Sequence, residues 1–246
     1  MQSRTLPVAI LAFVACASIN AQQPAPKDRT VWDGAYTDEQ AERARPTFDS
    51  RCANCHTLGA ERGTGAAGNA GGLSSDKFWA LFTQRTVLDL LNFVKKNMPN
   101  GVAAGSLPAP TYNDLVALIL KSNGFPAGQT EVSPETVADI QIIPKDGPGE
   151  LPAGVVARVV GCMTRGDGGD WVVTRATVPV RTDKGGAVPT DATRPLGTRS
   201  FTLRFSLTKL DRFADQRVVA SGLLIGVGGI GGINVSDVTR VAQTCE

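Results

Sequence analysis

One histidine, His56, closes the run Cys52-Ala53-Asn54-Cys55-His56, and it limits the chemistry open to the whole 246-residue chain. Ser-His-Asp hydrolysis, zinc sites built on several histidines and imidazole acid–base catalysis must all use His56 or be absent. The run itself suits one purpose closely. Two thiols three residues apart can add to two vinyl groups on one porphyrin edge, and the adjacent imidazole then falls beneath the iron as an axial ligand. Cys-x-x-Cys-His is the attachment signature of c-type haem. Two other uses compete with it. A redox Cys-x-x-Cys is expected beside a βαβ pattern, whereas this one follows a helical stretch and precedes a glycine-rich one. A zinc site wants a second Cys/His pair, and the sequence has no second histidine.

Methionine is the usual partner of histidine on an electron-carrying haem iron. Apart from the initiator, the chain has Met98 and Met163. Met98 stands in Asn97-Met98-Pro99 at the end of a helical pattern, where the proline stiffens the departing chain. It is the candidate sixth ligand, against the ordinary role of methionine as core filler. Met163 follows Cys162 in a strand-like run and is assigned to packing.

Around these residues the pattern is helical. Thr37-Asp38-Glu39-Gln40 matches a capping box and starts a helix toward Cys52, which Pro46 should kink or divide. Residues 58–73 are rich in Gly and Ala and read as loop. Phe78, Leu81, Phe82, Leu88, Leu91 and Val94 recur at helical spacing, so residues 76–97 are predicted helical in one or two pieces. A further helix spans 112–122 and ends at Asn123-Gly124.

Beyond Gly128 the texture changes. Residues 131–152 hold four prolines and read as a linker. Short β-type runs follow at 154–160, 171–174, 177–181, 201–207, 218–225 and 233–238. Turn sequences such as Gly166-Asp167-Gly168-Gly169-Asp170 and the glycine run 226–232 separate them. That punctuation predicts a small antiparallel barrel or sandwich, with an OB-like barrel as one form. The glycine run lacks the Gly-Lys-Ser/Thr of a phosphate loop and reads as a hairpin connection.

Leu6 to Ala17 is an apolar stretch behind Arg4, too short to span a bilayer, and Ser18-Ile19-Asn20-Ala21 offers a cleavage point. Residues 1–21 are therefore expected to be an export signal and 22–30 a loose leader. Phe13-Val14-Ala15-Cys16 loosely resembles a lipoprotein signal, and membrane association is expected only if Cys16 is lipidated. In the oxidising compartment that export implies, the remaining pair Cys162 and Cys245 is expected to form a disulfide, the alternative being a reactive thiol pair. The net charge of +2 comes from Arg4, Lys27 and Arg29 against Asp28, so no polybasic nucleic-acid surface is expected. Ten Arg/Lys and five Asp between Arg158 and Arg212 leave two options, a docking face or residues alternating outward on strands.

Residues from about 31 to 128 resemble a class I cytochrome c domain of the type associated with quinoprotein alcohol dehydrogenases. The matching stretches are Trp32-Asp33-Gly34-Ala35-Tyr36-Thr37, Gln40-Ala41, Cys52 to His56, Met98-Pro99, Gly105-Ser106-Leu107 and Asn123-Gly124-Phe125-Pro126-Ala127-Gly128. The resemblance implies one haem c joined to Cys52 and Cys55, with His56 and Met98 as axial ligands. It also implies packing of Phe48 against Leu115 and Leu118. The chain departs from the pattern at Gly72, where a proline often precedes the leucine, and at Leu118, where an aromatic is common. Arg85 fits a position that could neutralise a propionate, or is a solvated helix-surface arginine.

The fold class expected is thus α+β as two domains: an all-α cytochrome c fold at 31–130, a linker at 131–152 and a β domain at 153–246. The function expected is a periplasmic monohaem electron carrier, not a catalyst, exchanging electrons with a quinoprotein dehydrogenase or a terminal acceptor. Two alternatives stand beside it: a haem sensor or peroxidase-like protein with an open sixth site, and an electron-accepting module fused to a partner-binding domain.

Overall fold

The structure, a computed structural model, describes residues 29–59, 72–74, 76–100, 103–226 and 230–245. The predicted signal 1–21 with Cys16, the leader up to residue 28, most of the loop 58–73 and part of the glycine run 226–232 lie outside the described residues.

A 3₁₀ turn at Val31–Asp33 precedes α1 (Asp38–Arg43) and α2 (Arg45–Arg51). Thr37 caps α1 by accepting the Gln40 N–H at 3.2 Å. Pro46 falls in the first turn of α2, where its missing N–H costs nothing, and the two helices divide at Ala44. Gln40 does not reach back to Thr37 as a capping box requires. Its buried amide clasps Val132 instead, Nε2 donating to the carbonyl at 3.1 Å and Oε1 accepting the N–H at 2.7 Å.

The helical pattern over 76–97 resolves into α3 (Asp76–Phe82), the short strand β1 (Arg85–Thr86) and α4 (Val87–Asn97). Thr86 and Asp89 cap α4 reciprocally. Arg85 lies in β1 rather than on a helix, and its Nε donates to the Leu81 carbonyl at 3.0 Å. The helix α5 (Ala109–Ser122) has every side chain from Leu115 to Leu120 buried, as befits a helix enclosed on all sides.

The two ends of this part lock together at a glycine pair. Gly34 has φ +80°, and a Cβ on Gly128 would lie 2.4 Å from the Gly34 carbonyl oxygen, a backbone approach that only glycine permits. Trp32 packs edge-on to Phe125 at 5.1 Å, and the buried Tyr36 hydroxyl donates to the Phe125 carbonyl at 2.7 Å.

The strand β2 (Gln141–Ile142) pairs antiparallel with β1. The remaining strands are β3 (Val156–Arg165), β4 (Trp171–Ala176), β5 (Val180–Arg181), β6 (Arg199–Arg204), β7 (Arg217–Ile225) and β8 (Ile230–Ala242). Five of them close on themselves in the order β3-β4-β6-β8-β7-β3, and β5 adds to the start of β3. Ala157, Val159, Met163, Val218, Ala220 and Ile233 fill the barrel interior, each without solvent exposure. Met163 is fully buried in the apolar core of the barrel.

These observations correct the expected fold class. Among the described residues there is no separate all-α cytochrome domain. The short helices carry a strand pair within them, and β2 comes from the stretch read as a linker. Val132, Val137, Ile140 and Ile142 of that stretch are fully buried in the helical core. Their apolar spacing is masked by the prolines around them. The dominant ordered unit is a five-stranded barrel with an extra strand. It is not purely antiparallel either, because β6 and β8 run parallel from Ser200 beside Ile230 to Arg204 beside Asn234. No helix among the described residues is long and apolar enough to cross a membrane.

Candidate functional site

The end of α2 builds the cysteine motif. The Phe48 carbonyl accepts the N–H of Cys52 at 2.8 Å and of Ala53 at 2.9 Å. One turn later the Cys52 carbonyl accepts Cys55 N–H at 3.0 Å and His56 N–H at 2.9 Å. The motif is therefore one further helical turn, which keeps both thiols and the imidazole together. Phe48 packs with Leu115 and Leu118 of α5, and this contact fixes the direction in which α2 delivers the motif.

Cys52, Cys55 and His56 line one cavity of about 310 Å³. That volume lies within the range of small-molecule and cofactor sites, and the walls are apolar as such sites generally are. The helices α3, α4 and α5 contribute Phe78, Leu90 and Leu115 among others. Met98 lines the same cavity. Neither Cys52 nor Cys55 is in a disulfide, and burial pushes the Cys52 thiol up, with nearby Cys55 adding to the shift. Among the described residues no three His, Cys, Asp or Glu side chains gather as they would around an ion. The thiols and the imidazole thus share a cavity without forming an ion cage.

Met98 is the C-cap of α4, and its backbone is held on both sides. Its N–H donates to the Val94 carbonyl at 2.9 Å. Its carbonyl accepts the Tyr112 hydroxyl at 2.9 Å and the Gly105 N–H at 3.3 Å. The Tyr112 hydroxyl also accepts the Leu107 N–H at 3.4 Å, so one buried phenol fastens the loop after Met98 at two points. Sequence reasoning singled out Met98 and missed Tyr112. Its position in a predicted helix carried no sign that its hydroxyl turns toward the methionine loop.

Among the described residues, the charged side chains on the cavity wall are Arg51 and Lys77, and no carboxylate lines it. Arg85 is not among the lining residues. Among the described residues the lining presents two thiols, one imidazole, one thioether, two cations, the Tyr112 hydroxyl and the Asn100 amide in an otherwise apolar wall. The thiols, the imidazole, the thioether and the cations are groups that could hold a porphyrin by its vinyl groups, its iron and its propionates.

The barrel holds the other cysteine pair. Cys162 in β3 and Cys245 are disulfide-bonded, with Cα atoms 5.6 Å apart. Its basic residues are largely engaged. Arg165 pairs with Asp211 at 2.8 Å and lies over Trp171 at 3.9 Å, Arg204 pairs with Asp170 at 3.2 Å, and Arg158 pairs with fully buried Asp191 at 2.5 Å. This internal pairing leaves the docking-face option without support. No protein-family model, curated protein or solved structure matches the chain.

Proposed function

We propose that this protein is an exported c-type haem protein that carries single electrons. The observation that carries the reading is the convergence of Cys52, Cys55, His56 and Met98 on one apolar cavity. Within the described residues these side chains come from two segments separated by α3 and α4, so their meeting is a property of the fold.

The bound haem would supply the Fe(III)/Fe(II) couple. The residues of the chain have four tasks around it. Cys52 and Cys55 would hold the porphyrin edge through thioether links. The imidazole of His56 and the thioether of Met98 would serve as axial ligands, and a soft thioether favours the reduced state. The apolar wall would exclude water, which raises the cost of the extra positive charge on the oxidised form. Arg51 and Lys77 would balance the anionic propionates. With His56 and Met98 both holding it, the group would suit single-electron exchange with redox partner proteins at small, transient contacts.

The test is the visible spectrum of the protein made in a host that matures c-type cytochromes, oxidised and reduced. A low-spin spectrum with covalent haem and a weak far-red methionine–iron band is expected. Met98→Ala should abolish the far-red band and let the ferrous protein bind CO. A high-spin native spectrum that already binds CO would refute His56/Met98 ligation and turn the reading toward a sensor or peroxide chemistry. Absence of covalent haem would refute it altogether.

A further inference from the structure

The cavity wall formed by α3 is held partly from the barrel. At two turns α3 is too short to persist alone, and its last carbonyls have no partners within the helix. Arg181, in β5, meets one of them and the carbonyl of Thr83, the residue just after the helix. Its Nε donates to the Thr83 carbonyl at 2.9 Å and Nη2 donates to the Ala80 carbonyl at 3.3 Å. A guanidinium at a helix C-terminus also complements the negative end of the helix dipole. Burial lowers the pKa of Arg181, so its charge is partly withdrawn from water and aimed at these oxygens.

Gln84 completes the junction. It has φ +61°, a left-handed conformation that costs a side-chain-bearing residue free energy unless its surroundings hold it there. Three hydrogen bonds do so. Its N–H donates to the Ile142 carbonyl at 2.8 Å. Its Oε1 accepts the Arg181 N–H at 2.8 Å, and its Nε2 donates to the Pro179 carbonyl at 3.1 Å. The Gln84 amide therefore pairs with the free edge of β5 much as a neighbouring strand would. The helix fixed by this junction supplies Lys77, Phe78, Leu81 and Phe82 to the cavity.

We propose that Arg181 and Gln84 are positioning residues that fix α3 against the cavity, so that the barrel sets the redox equilibrium of the haem site. The redox half of this inference rests on the haem reading; the half concerning α3 does not. A barrel with no reactive constellation of its own acquires a function as the brace of the site.

The full chain is compared with Arg181→Ala, Arg181→Lys and Gln84→Ala in two measurements. Amide hydrogen exchange over residues 80–86 should rise about tenfold or more in Arg181→Ala and Gln84→Ala. It should rise less in Arg181→Lys, which keeps the charge and loses the planar fork. In the haem-loaded proteins the midpoint potential should move in the same order, by at least a threefold change in the Fe(III)/Fe(II) ratio, or about 28 mV for one electron. Gln84→Ala serves if Arg181→Ala fails to fold. Unchanged exchange would overturn the clamp. Raised exchange with an unmoved potential would overturn the influence on the haem site. A wild type that takes up no haem would overturn the electron-carrier reading, and the exchange data would still decide whether Arg181 holds α3.

Discussion

Replacing Tyr112 by phenylalanine removes one oxygen atom from a side chain that is 1% exposed and leaves its ring in place. The hydroxyl makes two contacts, donating to the Met98 carbonyl at 2.9 Å and accepting the Leu107 N–H at 3.4 Å. Losing the first bond costs roughly 0.5–1.5 kcal/mol net, and leaving the Leu107 amide without its long 3.4 Å acceptor adds about 0.5 kcal/mol. Met98 keeps the Gly105 N–H at 3.3 Å, so its carbonyl is not stranded. The sum, about 1–2 kcal/mol, raises the opened population of the methionine loop about 5–30-fold. In a chain of this size it lowers the melting temperature by roughly 2–8 °C. The assay is a thermal scan of the haem-loaded protein, following the far-red methionine–iron band and the far-ultraviolet circular dichroism together. The band should fade well below the global transition in Tyr112→Phe and close to it in the wild type. If both signals keep their wild-type temperatures, the hydroxyl does not hold the loop. If the band fades only at the lowered global transition, Tyr112 serves the core and not the ligand.

Three further outcomes follow from separate contacts. Gly128→Ala places a methyl group 2.4 Å from the Gly34 carbonyl oxygen, against backbone that cannot rotate away; a loss of about 1–3 kcal/mol in denaturant titration is expected, and a neutral result would refute the close approach. Reducing the Cys162–Cys245 disulfide opens a loop with a sequence separation of 83, which loop entropy values at about 4–5 kcal/mol; the barrel amides should lose exchange protection, while protection of α5 should change far less. The Arg199 guanidinium, whose Nη1 donates to Glu150 at 2.7 Å, holds the Glu150 carboxyl below its ordinary range. A lowered folded pKa gives stability that is present above the ordinary carboxylate range and is lost as pH falls through the lowered value. Glu150→Gln should therefore cost under about 1 kcal/mol at neutral pH, since the carboxylate is 60% exposed, and nothing in strong acid; an equal cost at both would refute the pairing.

The residues that share the cavity were legible in the sequence because their signals are local. Cys52, Cys55 and His56 lie within one turn, and Met98 is marked by the proline after it. The helix division near Pro46 was legible for the same reason, as was the cysteine pair, which arises by exclusion. What escaped was every feature that depends on contact across the chain. Gln40 has the spacing of a capping box with Thr37, yet its amide is taken by Val132, 92 residues away. Spacing records a local opportunity, and a buried backbone group elsewhere outcompetes it because leaving that group unpaired costs more. Residues 131–152 were misread because prolines and glycines dominate their composition. Only Val132, Val137, Ile140 and Ile142 carry the burial, and no regular period joins them. The parallel pairing of β6 with β8 was equally invisible, since alternation along a strand says nothing of its neighbour's direction.

The same contrast explains why the helical part is not self-contained. Its helices other than α5 run from six to eleven residues, below the length at which a helix holds itself in water. Their order must come from packing, and the cavity lined by Phe78, Leu90 and Leu115 leaves less direct helix–helix contact at the centre of that part. Three attachments offset the loss. Gln40 fastens residues 131–142 to α1, the Gly34–Gly128 approach closes the outer ends, and Arg181 with Gln84 ties α3 to the barrel. Each draws on a segment outside the four short helices. A chain that opens a large apolar cavity among short helices needs such outside supports, and this requirement gives a physical reason for the barrel to be joined to the site.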